Sequence, residues 1–138
     1  MASSIPRTRR KEYTDAVAAM TLKAALFTAI SGYDPLTATT YAALLSGGAT
    51  EVASGNGYTT GGATMTGLAS ANLATNGAIF KADPTAWASA SFTARYVCIY
   101  NTSTGKIQAL VDLGADYTVL TGTLTITWDA TNGVINVA

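Results

Sequence analysis

The chain has no histidine, and that removes whole classes of chemistry. A Ser-His-Asp or Cys-His nucleophilic arrangement and a histidine-ligated metal are excluded. Cys98 is the only cysteine, so an intramolecular disulfide and a cysteine-rich zinc site are excluded too, and the fold must hold by packing alone. Its neighbours Tyr96, Val97, Ile99 and Tyr100 mark Cys98 as a small buried apolar residue, not a reactive thiol. Charge is scarce as well. Charged residues make up 12% of the chain, about half the roughly 25% of an ordinary soluble domain, and such a surface is expected to end up covered by another chain. No apolar run reaches the length of a membrane span, and no usual signal-peptide core follows the basic N-terminus. The chain is therefore expected to be made and used in a cytoplasm, with no membrane partner.

The chemistry that remains is thin. Asp83, Asp112, Asp116 and Asp129 could converge as a glycosidase-type carboxylate pair, but their positions at strand ends or beside glycine or proline are those of turn and cap residues. Gly55-Asn-Gly57 and Gly61-Gly62 are followed by no Gly-Lys-Ser/Thr and meet no dinucleotide spacing, so they read as turns. Clustered acids for calcium are missing, since no two acidic residues are closer than three positions. No cofactor and no metal is implied, and an enzyme is the least favoured class.

What is present is strand pattern. In Thr121-Gly-Thr-Leu-Thr-Ile-Thr-Trp-Asp129, Leu124, Ile126 and Trp128 alternate with Thr123, Thr125 and Thr127, so one face seeks a core and the other stays polar. Trp128 is thereby expected in the core. Ala63 to Leu68, Ala78 to Ala82, Ser91 to Tyr100, Lys106 to Leu113 and Val134 to Val137 read as further strands; Ser91 to Tyr100 is apolar on both faces and should be central. Asn101 to Gly105 reads as a hairpin loop and Asn132-Gly133 as a tight turn. Near the N-terminus, Tyr13 to Ser31 fits a helix, with a rival reading of a helical turn to Met20 followed by a strand over 21–28. A short helix over Thr40 to Leu45 is expected to end at Gly47-Gly48. The 26 alanines and 23 threonines suit strand surfaces that a neighbour approaches closely. Chain length fits one domain. The expected architecture is mainly β: a single antiparallel β-sandwich of the jelly-roll kind over residues 13–138, with a short helical segment near its start and a flexible basic arm over residues 1–12.

That arm holds Arg7, Arg9, Arg10 and Lys11, a charge of +4, while residues 12–138 carry four positive and eight negative charges. It is either a solvated arm or one that docks on an acidic partner; nucleic acid is disfavoured because the cluster is short and lacks interleaved aromatics. Among aromatic residues near loops, Tyr33, Tyr58, Trp87 and Phe92 are placed to stack on sugars or anchor a partner, with core packing the rival reading for Trp87.

Several segments together are similar to small virion proteins of tailed bacteriophages, of the capsid decoration or cement type. The resemblance is carried by Leu22-Lys-Ala-Ala-Leu-Phe-Thr28, Gly32-Tyr-Asp-Pro35, Glu51-Val52 and Ser54-Gly-Asn-Gly-Tyr-Thr-Thr-Gly-Gly62. Ala78-Ile-Phe-Lys-Ala-Asp83, Trp87, Phe92 to Tyr96, Val111-Asp-Leu-Gly114 and Gly122-Thr-Leu-Thr-Ile-Thr-Trp128 continue it in order. It covers most of the chain after residue 20, each motif is unspecific alone, and the basic arm lies outside it. It implies a jelly-roll-like protein on the exterior of a capsid, assembled in the host cytoplasm, that binds the major capsid protein and ties neighbouring capsomers together; no catalytic residue carries over. Contact with the shell is expected through Arg7, Arg9, Arg10, Lys11 and Tyr58. A homodimer is the expected bridge, joined by sheet extension at Ala63 to Leu68 or Val134 to Val137. A glycan- or receptor-binding module using Tyr33, Tyr58 and Trp87, and a tail-tube or head-tail component, are the other classes.

Overall fold

The computed structural model describes residues 7–30, 33–34, 36, 38–72, 77–129 and 135–137. The elements are α1 (Arg7–Ala18), β1 (Leu22–Ala29), α2 (Tyr41–Ser46), β2 (Thr50–Glu51), β3 (Ala63–Thr64), β4 (Ala69–Asn72), β5 (Ala78–Lys81), β6 (Thr85–Asn101), β7 (Ile107–Ile126) and β8 (Ile135–Val137). The protein is mainly β with antiparallel sheets, as its alternating patterns predict. The described residues group into two compact units, one within Met1–Met20, Met65–Pro84 and Thr127–Ala138, the other within Thr21–Thr64 and Thr85–Ile126.

The first unit is the sheet β4-β5-β8 with α1 packed against it. Of the residues expected to form a free arm, Arg7 to Glu12 are instead the first half of α1; residues 1–6 lie outside the described residues. The helix buries Val17 and Thr14 and also Arg10, which is only 8% exposed. Its last turn tightens, with the Met20 N–H donating to the Val17 carbonyl at 3.1 Å, a common way for a helix end to satisfy its leftover carbonyls. The helix stops at Ala18, so the rival reading of residues 13–31 holds. The apolar run from Leu22 suits a buried helix or a strand buried on both faces equally well, and pairing partners elsewhere in the chain decide between them.

The second unit is a five-stranded sheet in the order β2-β1-β6-β7, with β3 also paired to β1. β6 is central as expected, paired along Tyr96–Asn101 to β1 and along nearly its whole length to β7. Ala25, Phe27, Leu44, Cys98 and Tyr100 form a core cluster, and Leu22, Ala24, Leu26, Val97 and Ile99 are fully buried as well. α2 starts where Thr40 Oγ1 accepts the Ala43 N–H (3.1 Å) and ends at Gly47; it brings Leu44 into the cluster.

Three strand expectations change. Only Ala63–Thr64 of the expected strand 63–68 pairs as a strand. Lys106 to Leu113 and Thr123 to Trp128 belong largely to one strand, β7, which takes up Gly114 in a bulge: four residues, 113–116, stand between Asp112 and Tyr117 where β6 has only Arg95 between their partners. Trp128 lies beyond the end of β7 and is half-buried, with its indole N–H meeting no acceptor among the described residues. The expected turn at Asn132-Gly133 lies outside the described residues.

Gly62 has φ +85, and a Cβ there would overlap the Ala24 carbonyl, whereas Gly105 has φ +74 with open space around it. Both pay the left-handed penalty on substitution, but only one meets backbone. Gly62→Ala is expected to destabilise by at least about 3 kcal/mol and Gly105→Ala by about 1 kcal/mol. Urea unfolding of the two variants checks the difference, and equal costs would contradict this packing of the Gly61-Gly62 turn on β1.

Candidate interaction surface

The interior of the second unit is held by a network centred on Glu51. Its carboxylate accepts the Tyr58 hydroxyl (2.5 Å), the Gly61 N–H (2.7 Å) and the Tyr41 hydroxyl. Tyr58 Oη in turn accepts the Leu26 N–H at 3.0 Å, and the Tyr100 hydroxyl donates to the Gly61 carbonyl at 2.7 Å. The rings of Tyr41 and Tyr100 stack at 4.5 Å. One carboxylate thus ties α2, β1 and the glycine-rich loop 54–62 together. Burial, and then the hydrogen bond to Glu51, push the titration of Tyr41 and Tyr58 well above the ordinary tyrosine range. Burial pushes the Cys98 thiol up to about 12, so it stays protonated and inert at neutral pH.

Tyr58, expected as an anchor on the shell, is therefore an interior residue, 3% exposed, with its ring edge-on to Phe92 at 5.8 Å. The glycines around it gave the look of an exposed loop tip. Gly57 is there because the loop lies on backbone, a Cβ on it coming within 2.6 Å of the Ser89 carbonyl, whereas Gly55 has open space and serves the turn at φ +105. Trp87 is buried too. Of the aromatic residues considered for sugar stacking, Tyr33 lines an open cleft of about 600 Å³, together with Tyr96, Ile30, Thr39, Gln108 and Asp112. Asp112 is held by Arg95 (3.3 Å) and by the Gly114 N–H (2.8 Å), which keep its carboxyl below the usual range, the N–H contributing most.

The basic residues divide by environment. Arg9 pairs with Glu12 at 2.8 Å, its side chain 71% exposed. Lys11 pairs with Asp15 and donates to Ser70 Oγ at 2.8 Å on β4, and Ser70 also donates to Asp15. These two donors, Lys11 first, lower the Asp15 carboxyl. Arg10 is buried, and the Arg7 side chain lies outside the described residues. Among the described side chains of the cluster, Arg9 presents most charge at the surface, and Lys11 serves the contact between α1 and β4. The carboxylates Asp83 and Asp129 line a smaller cleft of about 400 Å³ with Lys81 and Trp128, while Asp112 and Asp116 belong to the β7 bulge.

The surface that sequence reasoning missed is the outer edge of β7. Among the described residues β7 ends the sheet order, with β6 its one strand neighbour. Near its start the edge is covered, since the Ile107 N–H donates to the Thr39 carbonyl and Thr40 bridges Lys106. Farther along, the two-stranded ribbon of β6 and β7 exposes Leu120 (79%) and Tyr117 (49%). Over Tyr117–Ile126 the strand has no charged residue and no proline, two of the devices that blunt an open edge, although a bulge at Leu120–Thr121 interrupts it. The alternation of threonine with leucine is visible in the sequence, but that this strand has a neighbour on one side alone is not.

No family model, curated protein or solved structure matches the chain.

Tyr58→Phe removes the acceptor of the buried Leu26 N–H and one donor to Glu51, and is expected to cost about 1–3 kcal/mol in chemical unfolding. The protonated tyrosines stabilise the fold fully below their unfolded pKa of about 10, and that stability is lost as pH climbs above it, because the unfolded chain releases its protons first. Unfolding midpoints between pH 8 and 12 should fall above pH 10, and less steeply in Tyr58→Phe. A flat profile would contradict the network.

Proposed function

We propose that the protein is a virion structural protein of the capsid decoration type, which binds the outer surface of a bacteriophage capsid and cements neighbouring capsomers. The observation that supports this reading best is the uncharged, open edge of β7 with Leu120 and Tyr117 exposed on it. A ribbon of this kind is suited to strand addition or to packing on another protein, and it is costly to leave in water. The low charge of the chain points the same way. The jelly-roll sandwich, the dimeric bridge and the position on the capsid exterior belong to the same proposal, as does the resemblance of the ordered motifs to decoration proteins. On a lattice a modest contact becomes firm when one subunit engages two neighbours.

Arg9 supplies the electrostatic part of the contact. An exposed pair such as Arg9–Glu12 is worth about 0–1 kcal/mol, so Arg9 exchanges Glu12 for a carboxylate on the shell at little cost. A second reading, a glycan-binding module, rests on the cleft of Tyr33 and Tyr96, where Gln108, Thr39 and the neutralised Asp112 suit an uncharged sugar.

Sedimentation with undecorated capsids, followed by electron cryomicroscopy of the pellet, tests the first reading. Ordered density bridging capsomers is the expected result. Arg9→Ala should lower occupancy and flatten its salt dependence while leaving the unfolding midpoint within about 0.5 kcal/mol. Absence of co-sedimentation, together with glycan-array binding that Tyr33→Ala abolishes, would replace the first reading by the second.

A further inference from the structure

We propose that the smaller cleft, which belongs to the first unit, is a binding site for a neutral sugar residue, with the Trp128 ring as its platform and Asp83 and Lys81 as its polar grips. The proposal rests on neither reading of the function given above.

The first unit brings these side chains together from separate segments. Lys81 pairs with Ala69 in the β4–β5 ladder, and past the end of β5 the Asp83 N–H donates to the Thr66 carbonyl at 2.9 Å. Trp128, just beyond the end of β7, joins them with Asp129 in lining a cleft of about 400 Å³, a size usual for small-ligand sites. The Asp83 carboxyl group is built into this cleft. It fills the space over Gly67, where a Cβ, at φ +64, would overlap all three carboxyl atoms. Only a residue without a side chain leaves the carboxylate that room. The backbone bond to Thr66, and Pro84 directly after, restrain Asp83 further.

The protein itself makes no use of the polar groups so placed. Among the described residues the Asp83 carboxylate and Lys81 Nζ make no hydrogen bond or ion pair, not even with each other. The Trp128 indole N–H is buried without an acceptor, so no hydrogen bond fixes the ring against a small turn toward a ligand oxygen. The cleft therefore offers an acceptor-only group, a donor-only group and an aromatic ring. An anion would meet two carboxylates, and a cation would meet Lys81 and give it no acceptor. A zwitterion matches both charges, but ion pairs at exposed side chains contribute little, and Lys81, Asp83 and Asp129 are all exposed. The ligand that suits the site has hydroxyls that both donate and accept, and a flat C–H face to lay on an indole. A pyranose has both.

Methyl glycosides of glucose, galactose, mannose and N-acetylglucosamine test the site, titrated into the full chain and followed by calorimetry and tryptophan fluorescence. At least one is expected to bind saturably with a Kd of about 1–10 mM and to change the emission of Trp128, since Trp87 is buried. Trp128→Ala should abolish binding. Because that variant also removes a half-buried ring, Asp83→Asn and Lys81→Met, at exposed side chains, decide the matter. Each should weaken binding about tenfold with an unchanged unfolding midpoint, and Gly67→Ala, which displaces the Asp83 carboxylate, should match Asp83→Asn. The proposal is overturned if none of these glycosides binds at about 100 mM, if Asp83→Asn and Lys81→Met leave binding unchanged, or if free amino acids bind in preference. Sugar binding lost in Tyr33→Ala and kept in Trp128→Ala would overturn it as well, by assigning the sugar to the other cleft. Co-sedimentation with capsids bears on the proposed function alone, so the two fail separately.

Discussion

The constraint on which the second unit depends is that β6, a 17-residue strand with both edges inside a sheet along Tyr96–Asn101, must have its backbone groups paired on both sides. β1 satisfies one side over that stretch and β7 the other. An unpaired buried N–H or carbonyl costs on the order of 1–3 kcal/mol, so the residues over which β1 reaches β6 are also those that bury Leu22 to Phe27 and Val97 to Tyr100. Along the rest of β6, the glycine-rich loop takes part: the Ser91 N–H donates to the Asn56 carbonyl at 2.9 Å, and Gly57 lies against the backbone of Ser89 and Ala90.

Glu51 makes this arrangement specific. A carboxylate filled by two tyrosine hydroxyls and one backbone N–H accepts a single geometry, and the hydroxyl of Tyr58 passes the constraint on to the Leu26 N–H of β1. The loop 54–62 is consequently fixed by its buried Tyr58, while Ser54 to Gly57, Thr59 and Thr60 stay exposed. The β7 ribbon and the cleft of Tyr33 and Tyr96 lie outside this network. Threonine on the ribbon keeps it compatible with water, and Leu120 is left largely exposed.

Much of the strand content was legible because alternation has a period of two and turn residues punctuate it: β5 and the short helix α2 lie close to where pattern and capping place them, and β6 covers the expected Ser91 to Tyr100 but begins earlier, at Thr85. The errors have physical causes. Apolar runs such as Leu22 to Phe27 carry no period that separates helix from strand. Lys106 to Leu113 and Thr123 to Trp128 read as separate strands because the alternation breaks around Gly114, where the single strand β7 carries a bulge at positive φ. Arg7 to Lys11 look like a solvated arm because charge is read as exposure, yet Arg10 is buried and Lys11 reaches Asp15 and Ser70 across the α1–β4 contact. Tyr58 looks like a loop-tip anchor because its glycine neighbours suggest mobility, when they instead permit close approach of backbone.

The sequence by itself determined the chemistry this protein does not have and the local preferences of its strands, because residue inventory and period are properties of the chain. Histidine catalysis and intramolecular disulfides were excluded from the inventory alone. Which strand would have both edges filled, which tyrosines would meet Glu51 and which edge would stay open were decided only by tertiary structure. Those outcomes depend on pairings between residues dozens of positions apart, such as Leu22 with Asn101 or Thr85 with Ile126, and no local pattern encodes which distant partner a strand will find.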